Sequence, residues 1–334
     1  MLKYILKRIG ISIIILFGVS VILYSLVRMM PNDYIDLKYA TQLNSGDVKP
    51  EQIAEFKRMY GLGDEISIFE GYGMWISGLF TEGLGYSFKY EDKVSEILFG
   101  ESMWISFSIA IIVTLLQFLI AIPLGISSAT HQYSARDYAV TVFTMMGLSL
   151  PTYFFAAVVV KVFSVELHLL PPSGLLASGA SYPPNFAGFM TKLGDMIEHL
   201  ILPISVSVVL SLGGLMRYTR TNTLEVLNAD YIRTARAKGL SEKTVIYKHA
   251  FRNTLIPLAT LLAGILPSLF GGMMITEEVF AIDGIGRLAY QALTQGDVPF
   301  VMGYNLFLAI LTIIGTLFSD IMYSIVDPRV KLGK

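Results

Sequence analysis

Long uncharged apolar stretches separated by polar connections set the pattern of this chain. Windows free of Asp, Glu, Lys and Arg run over 9–27, 102–130, 138–160, 200–216, 253–276 and 298–319. A helix rises about 1.5 Å per residue, so each window crosses, or nearly crosses, about 30 Å of hydrocarbon. The pattern predicts an all-α, polytopic membrane protein with six transmembrane helices. Pro123 predicts a kink or stop late in the second window. Pro151 frees a carbonyl in the third, as either a pore-facing break or a structural kink.

Residues 31–101 are too long for a simple connection and predict structure of their own. Pro50 to Tyr60 reads as a short amphipathic helix stopped at Gly61, and Tyr72 to Phe88 alternates aromatics with glycines, as suits a membrane surface. A scaffold cap and a ligand-catching loop are both open readings. Pro171-Pro172-Ser173-Gly174 and Pro183-Pro184 predict that 166–199 is mostly turn with at most one short helix. The organisation is thus an N-terminal helix (1–30), an outer region (31–101), a five-helix core (102–326) containing a polar loop at 217–252, and a tail (327–334).

Composition agrees: 54% of the 334 residues are hydrophobic and 15% charged. The net charge of −1 gives no basic field for nucleic acid. Lys3, Lys7 and Arg8 precede a first window of 19 residues, longer than a signal-peptide core, and Arg28-Met29-Met30-Pro31 offers no cleavage pattern, so the first helix is expected to be retained. With the N-terminus inside, inner segments carry fifteen Lys and Arg; the outer ones carry ten, against twenty acidic residues. The short connections therefore place both termini in the cytoplasm of a multi-pass cell-membrane protein.

Catalytic and metal chemistry has little material here. Cysteine is absent, and His131, His168, His199 and His249 are scattered singly. No phosphate loop occurs, so any ATP is expected on another chain. Ionisable groups sit near window ends, among them Glu277 and Glu278, readable as an outer gate or partner contact or as a locally paired helix end, and Asp320. Gly213-Gly214 and Gly271-Gly272, with Ser205, Ser207, Ser211 and Thr260 nearby, fit close helix packing or a polar translocation surface.

Arg217 to Arg252 holds eight basic residues against Glu225, Asp230 and Glu242. Asn228-Ala229-Asp230 reads as a cap for a helix over 231–238 stopped by Gly239, and Ser241 caps a second run over 243–251. Two short helices at a glycine corner form a compact elbow. Ala235 and Ala237 permit close seating, and Tyr231, Ile232 and Leu240 supply apolar contact. A docking element and an interfacial lipid-facing helix are both open from the residues alone.

Asp230-Tyr231-Ile232-Arg233-Thr234-Ala235-Arg236-Ala237-Lys238-Gly239-Leu240, then His249-Ala250-Phe251-Arg252-Asn253 and Pro257, resembles the permease signature of ABC importers, in the dipeptide, oligopeptide and nickel branch. The general motif is Glu-Ala-Ala, three residues, then Gly; here Arg233-Thr234-Ala235 and Gly239 occupy it, as is usual in the peptide branch. The resemblance extends along nearly the whole chain, through Pro31, Gly83-Leu84-Gly85-Tyr86-Ser87, Pro171-Pro172-Ser173-Gly174, Thr276-Glu277-Glu278-Val279-Phe280, Gly284-Ile285-Gly286 and Asp327-Pro328-Arg329. One departure is Gly83, where the branch commonly has Asp.

The resemblance implies a type I importer permease fold and a non-enzymatic translocation subunit. It implies two ATP-hydrolysing subunits that bind ATP and Mg, a second homologous permease, an extracytoplasmic solute-binding protein and peptide cargo, with no cofactor on this chain. Tyr231, Arg233, Thr234, Ala235, Arg236, Ala237, Lys238 and Gly239 would couple to the ATPase. Ser205, Ser211 and Asn305 would line the pathway, and Glu277 and Glu278 would shape the outer gate or meet the binding protein. Nickel, glutathione or an oligosaccharide are alternative cargoes, and a scaffold, receptor or stand-alone carrier are alternative classes.

Overall fold

The computed structural model describes residues 2–29, 34–35, 38–39, 49–63, 65–251, 253–254 and 261–326. Pro31, Arg252, Pro257, Thr260 and the tail 327–334 lie outside them. The described residues are mostly helical, and an isolated bridge between Tyr86 and Lys93 is the sole β pairing among them.

Helix α1 (Leu2–Arg28) turns Ile13, Ile14, Phe17 and Ile22 outward and buries Tyr24 and Val27. It packs against the last helix, α14 (Val298–Val326), where Arg8 pairs with Asp320 at 3.1 Å. Asp320 is thus held by a cation between two helices.

The outer region contributes α2 (Pro50–Met59), α3 (Ile68–Thr81) and α4 (Val94–Leu98). Arg28 at the end of α1 donates to the carbonyls of Leu62, Gly63 and Ile66. Asp297, at the start of α14, is fully buried and accepts from Ser87 Oγ at 2.5 Å, Phe88 N at 3.2 Å and Lys89 N at 3.1 Å. The Gly83–Ser87 stretch is thereby fastened to the last helix, over a core that includes Ile35, Val94, Met103, Ile285 and Phe300.

Helix α5 (Glu101–Thr130) continues past Pro123 without stopping there. The third window is two helices, α6 (Ala135–Ser149) and α7 (Thr152–Val160), the latter running on in π-helical form to Glu166. They meet at 103°. The cause is local: Pro151 disfavours the helical region for Leu150, which adopts φ −80° and ψ 124°.

Helix α8 (Phe186–Leu227) has 42 residues. It corrects the expectation of turn through 199: Asn185 caps it by accepting from Gly188 N at 2.8 Å, and the helix runs unbroken through polar Lys192, Asp195 and Glu198. It also takes in the first part of the 217–252 loop. Helices α9 (Asp230–Ala237) and α10 (Glu242–Thr244, continued as a π-helix over Val245–Ala250) follow.

The fifth window, 253–276, is described only in part, and there it is interrupted: α11 (Leu262–Phe270) ends at Gly271-Gly272 before α12 (Met274–Val279). Gly272 has φ +70°, and a Cβ on it would lie 2.5 Å from Gly286 N, so only glycine fits. Helix α13 (Ile285–Gln295) leads to α14. Among the described residues, four helices are long and apolar enough to span a membrane and α6 with α7 makes a bent fifth; the remaining crossing expected from the sequence, 253–276, lies partly outside them.

Candidate functional site

Three arrangements come together along α8. The first is the elbow at its end. Asn228 donates from Nδ2 to Leu224 O at 3.0 Å, so it closes α8 rather than capping α9. Asp230 instead enters the first turn of α9, where a carboxylate suits the positive end of the helix dipole. Gly239 makes the corner at φ +75°, and Ser241 Oγ accepts from Thr244 N at 3.4 Å, as the sequence predicts. Across the corner Arg236 donates to Glu242 at 2.6 and 3.2 Å. That guanidinium holds the Glu242 carboxyl below its ordinary range.

Ile232 and Ala235 face inward, packing with Val245 and Ala250 against Val226 and Leu227. Tyr231, Arg233, Thr234, Arg236, Ala237, Lys238 and Gly239 are all exposed. This corrects one expectation: Ala235 seats α9 against its own chain, so of the two alanines only Ala237 is presented outward.

The second is a cleft of about 400 Å³ lined by Thr114 and Gln117 of α5, Thr152 of α7, Ser207 and Ser211 of α8, Ser268 of α11 and Thr276 of α12, among apolar neighbours. A second cavity of about 410 Å³ shares Gln117 and Ser211. No charged residue among those described lines either. Gln117 Nε2 donates to Ser211 O at 2.9 Å, joining α5 to α8. Of the three expected pathway residues, Ser211 lines both cavities. Ser205 is exposed on α8 but lines neither; Asn305 donates within its own helix, to Val301 O at 2.8 Å. Gln117, Thr114 and Ser268 were missed; a lone amide in a long uncharged window was the available signal.

The third lies between cleft and elbow, where Ser128, Asp137 and Arg220 tie α5, α6 and α8 together. Nearer the other end, Glu277 is 1% exposed and accepts from Ser106 Oγ at 2.7 Å, Met273 N at 2.9 Å and Arg287 N at 3.0 Å. A Cβ at Gly284 would sit 2.4 Å from its Oε2, which explains a glycine there. Glu277 is therefore an internal anchor, not a surface contact. Glu278 pairs with Arg287 at 3.3 Å and remains partly exposed.

These features define a helical, multi-pass membrane protein with a cleft whose described lining is uncharged, an exposed basic elbow, and a buried ion pair between them. The chain belongs to the family of binding-protein-dependent transport system inner membrane components: residues 121–332 match that family's profile and residues 1–110 its N-terminal companion. It is 33% identical over 332 residues, 99% of this chain and 100% of the relative, to the oligopeptide transport system permease protein AppB of Bacillus subtilis (strain 168). It is 34% identical over 332 residues, 99% of each chain, to a putative peptide transport system permease protein of Brucella abortus (strain 2308). The dipeptide transport system permease protein DppB of Alkalihalophilus pseudofirmus is 30% identical over 344 residues, 99% of this chain and 100% of that one. Among solved structures, the inward-facing MetNI methionine ABC transporter aligns with a TM-score of 0.48 and 17% identity, over 68% of this chain and 94% of that one. The chain is accordingly a permease subunit of an ABC importer.

Proposed function

We propose that this subunit forms one half of a pathway for peptides, beside a second homologous permease, with two ATP-binding subunits at the elbow and a solute-binding protein delivering cargo at the outer face. The observation that carries the reading is the cleft. Peptides vary in side chain but share main-chain amides, and hydroxyls with one carboxamide can exchange hydrogen bonds with any of them. A fixed charge at that depth would select among cargoes and be costly to bury. The names of the relatives support the same cargo class.

In this reading both termini are cytoplasmic, and α9 seats its exposed face, Tyr231, Arg233, Thr234, Arg236, Ala237, Lys238 and Gly239, on an ATPase. Ala235 keeps that face in place from behind. ATP and Mg belong to the partner subunits, this chain holding no cofactor and catalysing no reaction. Nucleotide need supply only a few kcal/mol of bias between inward-open and outward-open states to shift the population strongly.

The test is peptide uptake by the assembled complex in proteoliposomes. Ser211→Phe and Gln117→Leu reduce uptake, while Asn305→Leu, which lies outside the cleft, leaves it near wild type. Equal uptake by all three would overturn the assignment of the cleft.

A further inference from the structure

A different cavity, of about 310 Å³, lies in the outer region between α3, the loop that follows it and the start of α14. Five aromatic residues, Tyr24, Tyr60, Trp75, Tyr86 and Phe88, line it, and Tyr60 meets Phe88 edge-on at 4.8 Å. Among the described residues, Glu82 is the one charged residue in the lining. It stands at the C-terminal cap of α3, where the helix dipole is negative and a carboxylate is locally unfavourable. Among the described residues it forms no ion pair. Glu82 and Tyr60 line the same cavity, and burial, with a smaller push from the Glu82 charge, raises the Tyr60 hydroxyl above the usual phenol range.

We infer that this cavity binds a primary alkylammonium group, held by the Glu82 carboxylate and the faces of the surrounding rings. Ring quadrupoles attract cations, and a carboxylate at the negative end of a helix adds to the same field. An anion would be repelled. A hard divalent cation prefers several carboxylate oxygens, and among the described lining residues Glu82 supplies the one carboxylate. A neutral apolar ligand would cover Glu82 without compensating it.

Two sources carry this chemistry. Helix α3 lies along the end of α1, with Tyr72 Oη 2.8 Å from Ser20 Oγ, and exposes Phe69 and Phe80 at 84% and 85%, as suits the level where hydrocarbon meets water. A phosphatidylethanolamine headgroup and the free N-terminus of a peptide can each reach that level. The inference does not rest on the cargo reading above.

The chain has two tryptophans, and Trp104 lies outside the cavity lining. Trp104→Phe therefore leaves Trp75 as reporter in the full chain reconstituted in nanodiscs. In phosphatidylglycerol discs, trialanine is expected to change Trp75 emission saturably, with N-acetyl-trialanine about tenfold weaker or silent. Alternatively, phosphatidylethanolamine discs shift the emission without peptide, which identifies the lipid as source. Glu82→Gln removes whichever response is seen, and Glu82→Asp retains it. Equal response to both tripeptides without a lipid effect, silence in both arms, or a response indifferent to Glu82→Gln would overturn the inference, as would loss in both Glu82 variants.

Discussion

Arg220 on α8 grips Asp137 on α6 with two parallel hydrogen bonds, Nε to Oδ1 at 2.7 Å and Nη2 to Oδ2 at 2.9 Å. Ser128 Oγ on α5 donates to the same carboxylate at 2.5 Å, and Tyr133 N adds a bond at 3.0 Å. Three helices thus share one nearly saturated carboxylate between the cleft and the elbow.

Removing one member of such a pair leaves a charge without its partner. Arg220→Ala is expected to destabilise the chain by about 2–3 kcal/mol. Thermal unfolding of the detergent-solubilised complex checks this. Asp137→Asn, which keeps the shape, loses less stability but loosens α8 from α6, and is expected to lower peptide uptake per ATP hydrolysed.

Ala235 and Ala237 separate packing from docking. Ala235→Leu overfills the contact with Val245 and Ala250 and costs about 1–3 kcal/mol. Ala237 is exposed, so Ala237→Leu is expected to leave stability unchanged and, if the elbow docks as proposed, to obstruct the ATPase. Copurification of the ATP-binding subunits distinguishes them: Ala237→Leu weakens it with an unaltered Tm.

Nothing lies within 4 Å of a Cβ built on Gly239, so the strain of substitution is purely conformational. Gly239→Ala is expected to cost about 1 kcal/mol and to keep partial coupling. Gly239→Pro cannot reach φ +75° and uncouples ATP hydrolysis from uptake. Normal uptake in the proline variant would remove the elbow from the mechanism.

Truncating Glu277 strands one hydroxyl and two amides in the interior. Glu277→Ala is expected to cost about 3 kcal/mol or more. Glu278→Gln disturbs only a partly exposed pair and costs under about 1 kcal/mol. Denaturation of the two variants side by side reads the contrast.

The elbow also carries a pH dependence. The folded Glu242 carboxyl is depressed by Arg236, so its contribution is present above the unfolded glutamate value and is lost as pH falls through the lower folded one. Both side chains are largely exposed, so the contribution is under about 1 kcal/mol. Glu242→Gln should reproduce the acid behaviour at neutral pH, read as faster proteolysis at Lys238.

Much of this was legible in the sequence, where the chemistry is local. Gly239 and Ser241 announced the corner because a positive φ and an N-cap each require particular residues. The 103° break at Pro151 needed only the rule for the residue before proline, although its size did not follow from it. What escaped were relations over distance. Asp195 looks like loop chemistry until Ala177 N is found donating to it at 2.8 Å, from a segment folded back against α8. Asp137 and Arg220 are 83 positions apart, and nothing in either neighbourhood names the other. Glu277 resembles a charged helix end because three of its glycine neighbours, Gly272, Gly284 and Gly286, give no hint that they wall it in.

Helix α8, at 42 residues, is about 63 Å long, roughly twice the hydrocarbon it crosses. That length leaves a surplus of about 30 Å to extend beyond the hydrocarbon. A swing of about 10° around its middle would carry each tip through about 5 Å. On the proposed docking of the elbow, work done on one side of the bilayer would reach the other as displacement of a single continuous helix, with no relay of separate parts in between.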